Sequence, residues 1–206
     1  MDYPLIAVLG NMGNGKTLFT TFYALLYNEF CKQNDIKGTV FSNYNINMDN
    51  YKKVSPAEII KFPEWLRNGI LILDEIHSSG GDAYNFLSEL SKGLTTFITQ
   101  IRKRNIMLIV TSQRLGFVNI RIRELLNYII EVRKEDYTLE NGSHSFISNI
   151  SVRNLNDYFM TKELKLDLTG MFPYFDTNEI ISQQEIDDIK IEVKKFEEKI
   201  DEVSNG

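Results

Sequence analysis

The 206-residue chain is 43% hydrophobic and 12% aromatic, enough for one domain with a sizeable core and too apolar for a disordered chain. A net charge of −5 gives the molecule as a whole no attraction for nucleic acid, so any such contact must come from local basic patches or from assembly. The single cysteine, Cys31, excludes an internal disulfide and a cysteine-based zinc site. In chain order, Leu5-Ile6-Ala7-Val8-Leu9 is a short apolar run of strand formers. Gly10-Asn11-Met12-Gly13-Asn14-Gly15-Lys16-Thr17 follows, and then a helical pattern. This is glycine, four residues, then Gly-Lys-Thr, in the strand–loop–helix setting that a P-loop needs.

The chemistry of that motif is direct. Glycines let successive backbone N–H groups turn inward as an anion-binding nest, and the helix starting at Lys16 aims its positive dipole end at the same point. Asn11, Met12, Gly13, Asn14, Gly15, Lys16, Thr17 and Leu18 are therefore the expected nucleotide cradle. Lys16 faces the β- and γ-phosphates of ATP, and the Thr17 hydroxyl ligates Mg2+.

Leu18 to Gln33 carries Leu18, Phe22, Leu25, Leu26 and Phe30 at helical spacing, and Cys31 in that run reads as core packing. Lys37 to Ser42 reads as a second strand, and the asparagine-rich stretch Asn43 to Asn50 as a surface loop. Ser55-Pro56-Ala57-Glu58 starts a helix with Ser at the N-cap, Pro at N1 and Glu58 completing a capping box; it ends near Pro63. Ile70-Leu71-Ile72-Leu73 reads as a strand buried on both faces, with Asp74 and Glu75 where it emerges at its C-terminal edge. Asp74 is placed to hold Mg2+ through water, and Glu75 to polarise the water that attacks the γ-phosphate. His77 is a polar loop residue or a phosphate sensor, and His144 is assigned no role.

Ser78 to Asp82 is a loop, and Tyr84 to Arg104 a long helix ending in Arg102-Lys103-Arg104, where positive charge suits the helix C-terminus. Asn105 to Val110 is another buried strand, leading into Thr111-Ser112-Gln113-Arg114 at the edge beside Asp74 and Glu75. Asn119 to Leu126 reads as a short helix and Asn127 to Arg133 as a fifth strand. Glu140-Asn141-Gly142-Ser143 is a hairpin turn between strands near Glu131–Thr138 and Ser145–Arg153. Tyr158 to Leu168 adds a further strand, the aromatics of Gly170 to Phe175 pack on the core, and Gln183 to Val203 is a charged amphipathic helix. Met1-Asp2-Tyr3-Pro4 lacks the basic region of a signal peptide and no apolar run is long enough to span a bilayer, so a soluble intracellular protein is expected.

The order of P-loop, Ile-Leu-Ile-Leu-Asp-Glu, basic helix end, apolar strand and Thr-Ser-Gln-Arg resembles the FtsK–HerA superfamily of P-loop motor ATPases over roughly residues 3 to 134. The small size resembles its viral genome-packaging branch. The resemblance implies a RecA-like α/β fold of the additional-strand type, with a mostly parallel central sheet flanked by helices. Length and pattern add a C-terminal β-hairpin and helix and give one ATPase domain over residues 1–206, with the core at about 3–134 and an extension at about 135–206 that matches no motif of the superfamily. Gln113 then matches the glutamine that ends the strand next to the carboxylate strand. Arg102, with Arg104 as its rival, matches an arginine finger acting on a neighbouring subunit. ATP, Mg2+, double-stranded DNA, a ring of about six subunits and a capsid or portal-vertex partner follow as implied partners, in the host cytoplasm or the virion. Arg102, Lys103, Arg104, Arg114, Arg121, Arg123, Arg133 and Lys134 against Glu124 and Glu131 form a local basic excess that could face phosphates in a ring lumen, or be a solvated surface.

The single cysteine cannot build the zinc site of a thymidine kinase, no arginine-rich lid of a nucleoside monophosphate kinase is visible, and the Asn-Lys-x-Asp of a GTPase is lacking. A motor for conjugation or filamentous phage assembly, and a slowly hydrolysing nucleotide-dependent switch in the virion, stay open as alternatives.

Overall fold

The computed structural model describes residues 3–75, 94–118, 120–138, 144–157 and 160–175, together with Glu198. Strands β1 (Leu5–Leu9), β2 (Thr39–Ser42), β3 (Tyr51–Lys53), β4 (Gly69–Leu73), β5 (Ile106–Ser112), β6 (Tyr128–Thr138), β7 (His144–Asn154) and β8 (Thr161–Asp167) form one sheet in the order β3-β2-β4-β5-β1-β6-β7-β8. The pairs from β3 to β6 are parallel, and β6-β7 and β7-β8 are antiparallel. Helices α1 (Lys16–Gln33), α2 (Pro56–Ile60), α3 (Leu94–Lys103) and α4 (Ile120–Leu125) complete the described elements with two 3-10 turns, Leu115–Phe117 and Thr169–Tyr174.

Every residue of β1 and β4 is buried, as expected of parallel strands covered on both faces. The pleat divides their side chains between two cores. Leu5, Ala7, Leu9, Leu71 and Leu73 pack with Phe97 and Ile101 of α3 and Ile122 of α4. Ile6, Val8, Ile70 and Ile72 pack with Leu18, Phe19 and Ala24 of α1. Cys31 is buried, in keeping with core packing. This is a mostly parallel, RecA-like α/β sheet with one strand, β5, inserted between β1 and β4.

The α2 cap forms as read: Glu58 N donates to Ser55 Oγ at 3.2 Å and Ser55 N donates to Glu58 Oε2 at 2.9 Å. The fifth strand and the first hairpin arm are one element, β6, eleven residues long. Its first part pairs with β1 as far as Leu9↔Glu131, and beyond that point it continues as partner of β7 alone. The antiparallel extension thus grows directly from the core sheet. The short strand β3 directly follows the stretch Asn43 to Asn50 read as a loop, at residues for which no element was expected. β5 runs two residues further than expected, so Thr111 and Ser112 belong to the sheet. The hairpin turn, His77, the loop at 78–82, the first part of the long helix and the helix expected at 183–203 lie outside the described residues. Among the described residues, no helix is long and apolar enough to cross a membrane.

Candidate functional site

The parallel strands all point the same way, so β1, β2, β4 and β5 deliver their following residues to one edge of the sheet. β1 delivers the P-loop. Asn14 N closes a turn on Asn11 O at 3.2 Å, and α1 begins when Phe19 N donates to Gly15 O at 2.9 Å. Gly15 is the N-cap, with φ 86°, a conformation that costs an L side chain about 1–2 kcal/mol. Gly10 is required for a different reason: β6 passes so close that a Cβ there would meet the Val132 carbonyl oxygen at 2.5 Å. Asn14 Nδ2 donates to that same carbonyl at 3.3 Å, tying the loop to β6. Met12 stands exposed at the tip.

Lys16 is 4% exposed, and its ammonium lies 3.4 Å from Asn11 O and 3.7 Å from Glu75 Oε1. A buried ammonium whose protein contacts are both this long has donor capacity for an anion in the cradle. The Thr17 hydroxyl donates to Asp74 Oδ2 at 2.7 Å. The lysine, threonine and both carboxylates of the sequence reading therefore converge on one point, although two strand spacings separate β1 from β4.

Two residues that the motif reading did not single out hold the carboxylates. Thr111, fully buried at the end of β5, donates to Asp74 Oδ1 at 2.6 Å and accepts the Glu75 amide at 2.7 Å. Asn43, at the end of β2, accepts the Asp74 amide on Oδ1 at 2.7 Å and donates Nδ2 to the Asp74 carbonyl at 2.9 Å. These bonds fix Asp74 on both backbone polar groups and leave Glu75 at φ 44°, in the left-handed region. Asn43 carries no motif signal, and Thr111 was read only as part of the Thr-Ser-Gln-Arg run at this edge, without a role; a polar side chain at a parallel-strand C-terminus was the available clue. Burial pushes the Asp74 carboxyl above its ordinary value, assisted by the nearby Glu75 and opposed by the bonds from Thr111 and Thr17 and by Lys16.

Gln113 follows β5 at the same edge. With Gly10, Asn11, Asn14, Arg114, Glu131 and Arg133 it lines a groove of about 480 Å³ beside the P-loop. Arg102 and Arg104 sit at the other edge, where α3 ends just before β5 begins. Arg102 Nη2 donates to Leu125 O at 3.3 Å and to Asn127 Oδ1 at 3.2 Å, while Asn127 Oδ1 also accepts the Leu5 amide at the start of β1. Arg104 Nη1 donates to Pro63 O at 2.6 Å, and its guanidinium lies 5.5 Å from the Phe62 ring centroid. Neither arginine joins the P-loop of its own chain. The basic excess between Arg102 and Lys134 is thus split between two edges of the sheet.

The donor set suits magnesium: a hydroxyl and a carboxylate, both hard oxygen donors, meet beside a phosphate cradle. Among the described residues no three His, Cys, Asp or Glu side chains cluster to hold a metal ion by themselves.

The family model described as "ATPase family associated with various cellular activities (AAA)" matches residues 6–134. No curated protein matches the chain. Among solved structures, the N-terminal domain of zonular occludens toxin from Neisseria meningitidis is similar at 16% identity and a TM-score of 0.53, over 85% of this chain and 100% of that one. The genome packaging NTPase B204 from Sulfolobus turreted icosahedral virus 2, in complex with ATP-gammaS, is similar at 11% identity and a TM-score of 0.47, over 78% and 95%. B204, the DNA-packaging ATPase from Sulfolobus turreted icosahedral virus, is similar at 14% identity and 0.48, over 79% and 97%. At these identities the likeness speaks of the fold alone.

Proposed function

The chain belongs to the AAA family of ATPases, and from that premise we propose that it is a Mg2+-dependent motor that hydrolyses ATP to translocate double-stranded DNA, packaging a viral genome into a capsid. The observation that carries the catalytic part is the convergence of Lys16, Thr17, Asp74 and Glu75 at one sheet edge. Bound Mg2+ would neutralise charge on the β- and γ-phosphates. The backbone amides from Asn11 to Leu18 grip the phosphates, and Lys16 supplies charge to the two terminal ones. Thr17 and Asp74 hold the cation, Asp74 through water. Glu75 accepts the proton of the attacking water, and Gln113 orients that water or contacts the γ-phosphate. Arg102, or Arg104, acts on the site of the neighbouring subunit, so the active form is a ring of about six copies.

The DNA part of the proposal is supported by the motif order shared with FtsK–HerA motors. In this reading the protein works in the host cytoplasm or the virion beside a capsid or portal-vertex protein. A second reading, a conjugation motor or a filamentous-phage-assembly motor of the zonula occludens toxin type, is favoured by the fold shared with the whole of the Neisseria meningitidis domain.

Multiple-turnover ATPase assays with and without linear duplex DNA, paired with electron microscopy of ATP–DNA mixtures, test the proposal. Rings and DNA-stimulated turnover are expected. Brisk turnover indifferent to duplex DNA favours the second reading, and hydrolysis that stops after one turnover leaves a structural switch. Lys16→Ala is expected to abolish ATP binding, and Glu75→Gln to bind ATP without hydrolysing it; normal turnover by either refutes the site assignment.

A further inference from the structure

An aromatic surface abuts the last P-loop glycine and takes no part in the chemistry above. β7 brings Phe146 against Gly15, where a Cβ would lie 2.5 Å from Phe146 Cε1 and 3.5 Å from Leu18 Cδ1. The Phe146 amide donates to Thr169 Oγ1 at 2.7 Å, which ties β7 to the 3-10 turn Thr169–Tyr174. From that turn Phe172 meets Phe146 edge to face, with centroids 5.8 Å apart and planes at 77°. Phe172 also stacks on Phe175 at 6.4 Å and 20°. The Lys134 ammonium, reaching from β6, lies 5.1 Å from the Phe146 centroid.

The three rings differ in surroundings. Phe146 and Phe175 pack against the apolar cluster beneath α1, whereas Phe172 is 45% exposed. Core packing accounts for the first two and leaves the third ring held in place with a free surface. The groove beside Gly10, Asn11 and Asn14 mixes Leu9, Leu115 and Val132 with Gln113, Arg114, Glu131 and Arg133, and among the described residues no aromatic side chain lines it.

We infer that Phe172, backed by Phe146 and Phe175, is the stacking platform for the base of the nucleotide whose phosphates the P-loop holds. This rests on the P-loop reading given above. The phosphates are gripped at the first turn of α1, and the base lies one ribose beyond them, so its cover must come from a surface against that turn. The Thr169–Tyr174 turn packs on α1, and its Phe172 meets the Phe146 ring that abuts Gly15, the N-cap of that helix. An aromatic face stacks any base and is indifferent to its hydrogen-bonding edge. The platform therefore selects a nucleoside triphosphate over a bare polyphosphate, and discriminates weakly between ATP and GTP.

Calorimetric titration of the full chain with Mg2+ and either ATP or inorganic tripolyphosphate tests the inference. Phe172→Ala is expected to weaken ATP about tenfold, the order seen for loss of one base–aromatic stack, and to leave tripolyphosphate unchanged. Phe172→Trp is expected to restore ATP affinity, with indole emission that responds to ATP and not to tripolyphosphate. Phe172→Ala that binds both ligands as the parent does, or loses both in equal proportion, overturns the platform. Lys16→Ala separates the two levels of argument: it is expected to lose both ligands, and if it keeps both, the P-loop reading fails first and the platform with it.

Discussion

Thr111→Val removes one hydroxyl at nearly constant volume from the centre of the site. Thr111 is fully buried, and its Oγ1 makes two bonds, a donation to Asp74 Oδ1 at 2.6 Å and an acceptance from Glu75 N at 2.7 Å. A hydrogen bond to a charged group is worth about 1.5–3 kcal/mol, and stranding a buried N–H costs about 1–3 kcal/mol. Part of the second cost is relieved if Glu75 leaves its left-handed conformation, itself a strain of about 1–2 kcal/mol. The expected loss of stability is therefore about 2–4 kcal/mol, readable in urea unfolding. Relaxation of Glu75 shifts the carboxylate, and a misplacement of about 1 Å costs on the order of 100-fold in rate. A kcat reduced about 10- to 100-fold is expected, with ATP affinity nearly kept because the bonds of the Thr111 hydroxyl go to Asp74 and Glu75. Thr111→Ser restores the hydroxyl and is expected to recover most of the rate. A Thr111→Val protein with the parent's kcat would refute the idea that this hydroxyl positions the two carboxylates.

Asp74→Asn tests the electrostatics. The Asp74 carboxyl is raised by burial above its ordinary value of 3.8, so the folded protein binds that proton more tightly than the unfolded chain. Stability is then lost as pH rises from the unfolded value through the raised one, and the loss is complete above it. The Asn variant escapes this cost: its Tm is expected to exceed the parent's at pH 7–8, by about 2–4 °C for each kcal/mol, with the gap closing as the pH falls toward 4. Its Mg2+-dependent hydrolysis is expected to be lost, and a Tm below the parent's at every pH would contradict the assignment. For the intersubunit arginine, Arg102→Ala is expected to bind ATP and fail to turn over. Mixing it with Glu75→Gln protein should restore part of the activity, because one subunit of each pair then joins an intact Glu75 to an intact arginine. No recovery with Arg102→Ala, alongside recovery with Arg104→Ala, would move the role to Arg104.

The P-loop and the Asp74–Glu75 pair were legible because each is contiguous in sequence and follows an apolar strand. The covalent chain itself fixes their geometry. Asn43 was not legible as a site residue, and Thr111 was legible only as part of the polar run beside Asp74 and Glu75 and not as their support, since each lies more than thirty residues from Asp74 and only the order of the sheet brings them there. Asn43 read as part of a loop for a sound compositional reason, yet it stands where β2 ends at the active edge. The helix start at Ser55 was clear because a capping box is local, and it formed residue for residue. The end of β6 was not clear, because a strand that leaves one partner and continues with another changes nothing in its own sequence pattern. Phe172 read only as a core aromatic and Phe146 only as part of a hairpin strand, since exposure of a ring depends on long-range packing.

The inserted strand explains why the supporting residues must be where they are. Neighbouring strands are about 4.8 Å apart, so the ends of β1 and β4 stand about 10 Å from each other with β5 between them. In the proposed mechanism that interval is where the terminal phosphate and the attacking water would stand, between residues that follow β1 and β4. Whatever supports the interval from beneath must come from β5, and whatever steadies its outer wall must come from β2, the neighbour of β4 on the far side. Thr111 and Asn43 are those two contributions. Register decides which β5 residue arrives: Leu73 pairs with Val110 and Val8 with Thr111, so the hydroxyl meets the first residue beyond β4. A one-residue insertion in β5 would turn Thr111 to the opposite face and present an apolar side chain to Asp74. The carboxylates would keep their place in sequence and lose their support, so parallel registry, rather than motif residues alone, builds this site.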